Sequence, residues 1–346
     1  MEAPPSAIPL SVRLPHKPSA HLSCHFFQGT TTTATLVVFL NGLGLPQSGW
    51  WPAISNLTAH PPLLTYDRYG QGLTTDTDPQ DADPHPSPPG QRHNIVSVVS
   101  DLHALITTIY DLRSAIPFVK PPATLPSVQQ PTLIFVANSI GCAVARYYAQ
   151  LYPDTVAALL LLDSYMTDTD FTSLYPDPDA PSFDETTLPD GISVSDIRAA
   201  REGMGRLFHP SVVNGEGFWR GDITSLLPHS YEPRLVYHHT KDTKNTSVGE
   251  GGEEVEGEEG GPYVTVVGHD WEVFAEESTR MTGMTKAVAM AYTNPAWARY
   301  NDGLLKITAE GRAKKLVAEG AGHFIQQGRP DLVADELQLL IEKVDA

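Results

Sequence analysis

Seven short apolar runs set the strongest constraint on how this chain can fold. They lie at residues 22–27, 36–40, 63–66, 133–137, 156–162, 263–267 and 315–318. Most are continuous rather than alternating, the pattern of strands buried on both faces of a parallel sheet. Helical patterns separate them. Residues 94–110 put Ile95, Val98, Val99, Leu102, Leu105 and Ile106 on one stripe, residues 140–151 follow a strand directly, and residues 331–344 close the chain. Strands alternating with helices predict an open, mostly parallel α/β sheet. At 346 residues, one large α/β domain with an insertion fits better than two full domains.

Three segments break the alternation. Residues 76–90 and 114–131 read as proline-rich surface loops. Residues 164–262 are expected to form a cap inserted into a core made of 1–163 and 263–346. This excursion holds one helix candidate, 194–208, with Ser193 and Asp196 at capping-box spacing. It also holds Phe171, Tyr175, Phe183, Phe208, Phe218 and Trp219, which fit either substrate contact or packing against the sheet. Its tail, about 239–261, ends in GEGGEEVEGEEGG and cannot build a core; it reads as a flexible acidic loop.

Charge and composition narrow the function classes. The chain carries 23 basic and 41 acidic side chains, a net charge of −18. Six acids lie between Glu250 and Glu259, and without them 23 basic side chains still face 35 acidic ones. Such a surface repels phosphate backbones and anionic lipid, so no nucleic-acid or membrane partner is expected. An apolar fraction of 41% excludes global disorder. Cys24 and Cys142 make neither a disulfide framework nor a zinc site, and no metal is expected. The first 25 residues lack a signal-peptide core, and the longest apolar run, 156–162, is far short of a membrane span. A soluble, cytoplasmic protein is the expectation; the oligomeric state stays open.

The segment richest in chemistry is 132–150, TLIFVANSIGCAVARYYAQ. A buried strand runs through Ala137-Asn138-Ser139-Ile140-Gly141 into a helix. This is the small-x-Ser-x-small pattern of a nucleophile elbow. The serine sits on a strained turn, so the residues two before and two after it must be small. The turn lifts Oγ above the sheet beside a helix N-terminus, where free N–H groups favour a developing oxyanion. Residues 36–44, LVVFLNGLG, form a strand ending in a glycine-rich turn. That turn can aim the N–H of Leu43 at the same oxyanion as the N–H of Ile140. Near the C-terminus, KLVAEGAGHF (315–324) runs a strand into small residues and then His323, where a base can reach Ser139 across the sheet edge.

These pieces resemble the α/β-hydrolase superfamily, and within it a branch of small esterase-like proteins with a serine nucleophile. The elements are NGLG (41–44), YDRYGQG (66–72), DLHAL (101–105), ANSIGC (137–142), LLLLD (159–163) and GHFIQ (322–326), and the likeness spans about 35–165 and 263–346. The resemblance implies an α/β-hydrolase fold with an eight-stranded, mostly parallel sheet, a Ser-acid-His triad and ester-type hydrolysis. Two departures stand out. Asn41 replaces the usual histidine beside the glycine turn, and Ala137-Asn138 replaces Gly-His before the nucleophile.

Two carboxylates compete to orient His323. Asp163 ends the strand after the nucleophile helix, 24 residues beyond Ser139, and Asp270 follows the next strand. Superfamily members commonly take the acid from that later strand in a G-x-x-D turn, but here the aspartate comes one residue early. Others, including the resembled branch, have an aspartate where Asp163 stands. Asp163 is preferred, with Asp270 as the alternative; either could instead cap a turn or helix.

The sequence therefore predicts a serine hydrolase acting on a small, moderately apolar carboxylic ester or lactone. Ser139 is the nucleophile, His323 the base, Leu43 and Ile140 the oxyanion donors, and no cofactor is required. The alternatives are a carbon–carbon bond hydrolase, a non-hydrolytic lyase or cyclase, a ligand receptor, or an inactive scaffold with the acidic loop as an interaction tail.

Overall fold

A computed structural model of the chain describes residues 4, 6–31, 33–82, 93–112, 131–239 and 260–346. Most of each of the two proline-rich loops and of the acidic loop, residues 83–90, 114–130 and 240–259, lies outside the described residues.

The apolar runs become strands of a single sheet. They are β2 (Lys17–Phe27), β3 (Thr35–Leu40), β4 (Leu63–Tyr66), β5 (Thr132–Asn138), β6 (Val156–Leu162), β7 (Tyr263–His269) and β8 (Ala313–Ala318). An eighth strand, β1 (Ala7–Leu14), pairs antiparallel with β2. Its sequence, AIPLSVRL, is broken by Pro9, which hides it from an apolar-run reading. Proline is tolerated there because β1 is the edge of the sheet. The strand order is β1-β2-β4-β3-β5-β6-β7-β8. β2 also pairs antiparallel with β4, and every pairing from β4 to β8 is parallel. Every residue of β3 and of β6 is buried, as continuous apolar runs require when both faces are covered.

The helices, in chain order, are α1 (Trp51–Ser55), α2 (Ile95–Leu112), α3 (Ile140–Leu151), α4 (Val194–Phe208), α5 (Ile223–Leu226), α6 (Trp271–Thr282), α7 (Lys286–Val288), α8 (Asn294–Leu304), α9 (Ile325–Gly328) and α10 (Pro330–Asp345). Alternate strand residues feed two cores. On one face Val38, Leu40, Phe135 and Leu161 pack with the α2 stripe and with α3. On the other, Val37, Phe39, Val136 and Leu160 pack with Trp51 of α1, Ile325 of α9 and Leu337 and Leu340 of α10.

The excursion after β6 is not a separate packing unit. Phe171, Tyr175, Ile197, Met204 and Phe218 belong to the same core as α2 and α3. Its helix α4 begins with the expected box: Asp196 N donates to Ser193 Oγ at 3.2 Å, and Ser193 N donates to Asp196 Oδ2 at 2.9 Å. α4 crosses the end of α6 so closely that a Cβ on Gly203 would collide with the Thr282 backbone. The stretch between Asp270 and His323, long for a connecting loop, is filled by α6, α7, α8 and the edge strand β8.

The strand order reverses between β3 and β5, since β4 lies on one side of β3 and β5 on the other. In open α/β sheets such a switch point leaves a crevice beyond the carboxyl ends of the strands. The turn after β3 and the turn after β5 flank that crevice. They meet at Gly141, where an added Cβ would drive into the carbonyl oxygens of Leu40 and Asn41.

Gly141→Ala is therefore expected to lower stability by about 1–3 kcal/mol, because backbone on both sides has to move. Ser193→Ala, which removes half of an exposed capping box, should cost about 1 kcal/mol without touching the sheet. Urea unfolding of both variants checks this, and a Gly141→Ala protein as stable as wild type would refute the close approach.

Candidate active site

The turn between β5 and α3 is strained at one residue. Ser139 has φ 55° and ψ −122°, a region that a residue with a side chain enters at a cost of roughly 1–3 kcal/mol. The surroundings over-determine it. Ser139 N donates to Leu162 O at 3.1 Å, and Ser139 O accepts from Cys142 N at 3.0 Å and from Tyr165 N at 3.1 Å. Ala137 is fully buried two residues before it, and Gly141 abuts β3 two residues after, so both small positions have a steric cause. Ile140 opens α3, where the first N–H groups lack acceptors within the helix.

Asn138, a departure from the resembled pattern, links this turn to His323. Its Nδ2 donates to Leu162 O at 3.1 Å and to His323 O at 3.0 Å, and its Oδ1 accepts from Gln326 Nε2 at 3.2 Å. The loop after β8 is thereby fastened to the residue preceding Ser139. His323 N is held on its other side by Glu277 Oε2 at 3.0 Å. Among the described residues Ser139 Oγ makes no hydrogen bond.

His323 Nδ1 lies 2.5 Å from Asp163 Oδ2. Asp163 ends β6 with φ 44°, its N–H bonded to Val267 O at 2.8 Å, and its side chain is fully buried. Burial alone would push its carboxyl up; the charge and hydrogen bond of His269, and then those of His323, hold it down at about 2. Asp270 is engaged elsewhere. Its carboxylate caps α6 by accepting from Glu272 N at 2.9 Å and Val273 N at 3.3 Å, and it accepts from Gly320 N at 3.0 Å. The hydrogen bond from Gly320 leads in holding its carboxyl below the usual range.

A second histidine reaches the same carboxylate. His269, the last residue of β7, is buried with Nδ1 2.7 Å from Asp163 Oδ1. Sequence reasoning passed over it; the only available signal was its place beside the competing aspartate Asp270.

The turn after β3 runs past the serine: a Cβ built on Gly42 would lie 3.4 Å from Ser139 Cβ. Leu43 follows in the same turn. Arg68 holds the turn by donating from Nη1 to Asn41 O at 2.8 Å and from Nη2 to Gly42 O at 2.9 Å. Gln71 Nε2 donates to Gly42 O at 2.9 Å. Glu216, from the excursion, closes the network: it accepts from Arg68 Nε at 2.9 Å, from Gln71 Nε2 at 2.7 Å and from Gly44 N. Asn41, the other departure, is bonded at both ends of its amide. It donates to Tyr66 O at 2.8 Å and Gln71 Oε1 at 2.9 Å, and its Oδ1 accepts from Trp50 Nε1 at 2.7 Å. Asp67 accepts from Gln47 N at 2.6 Å and Leu73 N at 2.9 Å, and its carboxylate lies where a Cβ on Gly72 would be. The YDRYGQG element thus builds the support of the glycine turn. Glu216 lies in the stretch that no motif covered.

Beside His323 is a small apolar pocket lined by Phe171, Met204 and Phe208 of the excursion and by Phe274, Met281 and Trp297 of α6 and α8, with Glu277 as its carboxylate. The excursion's aromatics divide between two tasks. Phe171, itself buried, and Phe208 line this pocket, whereas Tyr175 and Phe218 pack away from it, Tyr175 bonded to Thr293 Oγ1 at 2.9 Å and Phe218 edge-on to His93. Among the described residues, Asp78, His93 and Asp101 have donor atoms spaced for a metal. The buried Lys17 ammonium already lies among them, 2.7 Å from Asp78, 2.8 Å from Asp101 and 2.9 Å from Ser97 Oγ.

Comparison with known proteins agrees with this architecture. Residues 37–336 match a model of the Alpha/beta hydrolase family. No curated protein matches the chain. Among solved structures, a putative lipase from Acinetobacter baumannii AYE is similar at 15% identity with a TM-score of 0.51, over 98% of this chain and 92% of that one. Epoxide hydrolase VrEH1 from Vigna radiata is similar at 13% identity with a TM-score of 0.50, over 99% and 100%. A putative hydrolase from Agrobacterium vitis S4 is similar at 10% identity with a TM-score of 0.51, over 97% and 99%. At such identities these likenesses speak for the fold alone. The family match extends from β3 to the last helix beyond His323, and the chain belongs to the alpha/beta hydrolase family.

Proposed function

We propose that this protein is a serine hydrolase that cleaves a carboxylic ester or lactone. The observation that carries the reading is the strained Ser139 turn joined, through Asn138, to a histidine whose Nδ1 lies 2.5 Å from a buried aspartate. A serine held at positive φ at a strand–helix junction presents Oγ to the crevice. In the reaction, Ser139 Oγ attacks the acyl carbon while His323 Nε2 takes its proton. His323 then protonates the departing alcohol oxygen, leaving an acyl-serine. A water, deprotonated by the same histidine, attacks the acyl carbon and releases the acid and the free serine. Asp163 fixes the tautomer of His323 with the proton on Nδ1 and stabilises the imidazolium formed in each step. The N–H groups of Leu43 and Ile140 receive the oxyanion. The Ser139–His323 hydrogen bond closes when substrate fills the crevice.

The pocket beside His323 supports a moderately apolar substrate group, since six of its lining side chains are aromatic or methionine. The net charge of −18 disfavours a highly anionic one.

The assignment is tested by hydrolysis of short p-nitrophenyl esters and by labelling with a fluorophosphonate located by mass spectrometry. Ser139→Ala should abolish labelling and lower kcat by about 10⁴-fold or more. Asp163→Asn should cost about 10³–10⁴-fold through the wrong tautomer. Asp270→Asn should leave kcat within about tenfold and cost about 1 kcal/mol of stability as a lost cap. A folded wild-type protein that neither labels nor turns over any ester would sink the hydrolase reading. Asp163→Asn and Asp270→Asn effects in the reverse order would sink the choice of acid.

A further inference from the structure

We propose that His269 stands as a buried imidazolium against Asp163 and so limits how strongly that carboxylate holds a proton on His323. His269 would then be a positioning residue acting through Asp163. The inference rests on the serine-hydrolase reading above for its effect on catalysis.

The geometry is that both ring nitrogens of His269 face acceptors. Nδ1 lies 2.7 Å from Asp163 Oδ1, and Nε2 lies 3.2 Å from Asn294 Oδ1. The Asn294 amide is fixed in that sense because its Nδ2 donates to Trp271 O at 3.1 Å and lies 3.2 Å from Met290 Sδ. A neutral imidazole has one donor and one acceptor, so it would set a lone pair against an oxygen at one end or the other. Only the imidazolium donates at both.

The charged neighbours favour the same state. Asp163 faces the ring from the end of β6, Asp270 follows it in the chain, and Glu277 of α6 adds negative potential. His323 is the other titratable group, reached across Asp163. The remaining faces are ring contacts, Phe274 stacked at 3.9 Å and Trp297 edge-on at 5.5 Å. Burial lowers the affinity of His269 for its proton, but the charge and hydrogen bond of Asp163, then Asn294 and Glu277, outweigh it and leave the group above its ordinary value.

A buried aspartate with one histidine partner is neutralised only when that histidine is charged, which raises its affinity for a proton. Here the Asp163 charge is already balanced by His269. A second cation on the same carboxylate therefore weakens its pull on a proton at Nδ1 and Nε2 of His323, an effect read as the difference between wild type and His269→Gln.

Three measurements test this on the full-length protein. In wild type, ¹⁵N-resolved imidazole spectra should show a doubly protonated ring that persists above the pH at which an ordinary imidazole loses its proton and that is missing from His269→Gln. His269→Gln should move the titration of His323, read in the same spectra, upward by about one pH unit. The acid limb of kcat/KM for p-nitrophenyl butyrate should move with it, whatever happens to the plateau. Asn294→Leu, which removes the second acceptor, should shift both in the same direction by less, and carries the test if His269→Gln does not fold. A lowered plateau with an unmoved limb would mean that His269 only supports packing. A His269 ring neutral at pH 7, or a His323 titration unmoved in both variants, would overturn the proposal. Because the His323 titration needs no turnover, it decides the matter even if the protein proves not to hydrolyse esters.

Discussion

A carboxylate with no access to solvent organises the working end of this sheet. Asp163 carries its charge fully buried just after β6, and an uncompensated buried carboxylate costs several kcal/mol. The fold meets that cost from two later strands. His269 is the last residue of β7, which pairs directly with β6, so its ring lies level with the carboxylate. His323 arrives from beyond β8, one strand further, and is fastened by Asn138 and Glu277 so that its Nδ1 reaches the other oxygen. Losing either histidine would leave part of the charge unanswered, which binds the ends of three strands to one another.

A second buried charge does comparable work across the crevice. Glu216 and Arg68 form an ion pair with almost no exposure, and such pairs tend to fix geometry more than they add stability. What they fix is the turn after β3. Arg68 and Gln71 draw back the carbonyls of Asn41 and Gly42, and Glu216 takes the N–H of Gly44. Because Glu216 lies in the excursion between β6 and β7, the covering layer and the glycine turn cannot shift independently. On the proposed reading, the donor of one oxyanion N–H is therefore held by the same chain segment that walls part of the substrate pocket.

Much of this frame was readable because the physics behind it is local. A strand buried on both faces must be apolar throughout, so β3 to β7 announced themselves, and the α2 stripe is buried as its spacing required. The sharp turn at Ser139 was readable because close approach at Gly141 and tight packing at Ala137 leave only small residues admissible. Where two distant segments decide an outcome, the sequence says less, and the preference for Asp163 over Asp270 rests on the resembled branch rather than on spacing. Asp163 and Asp270 both stand at strand ends. What separates them is that Asp270 spends its oxygens on the start of α6 and on Gly320, and no spacing rule reveals that. The first strand was hidden by a proline that only an edge position tolerates. Glu216 and His269 matter because of what β7 and the excursion bring beside them, and a lone glutamate or histidine carries no mark of its neighbours.

The positions of strain fit the same logic. Ser139 and Asp163 both have positive φ, and both lie at the carboxyl ends of neighbouring strands, β5 and β6. The two turns share one anchor, Leu162 O, which accepts from the backbone of Ser139 and from the side chain of Asn138. Strain in one turn is thus opposed by bonds made in the other, and neither can relax toward ordinary backbone without releasing its neighbour. On the proposed reading this arrangement assigns one group to each of several strands in turn: oxyanion donor after β3, nucleophile after β5, acid after β6, base after β8. The reacting carbonyl would sit at the switch point between β3 and β5, between a donor on one wall and the nucleophile on the other.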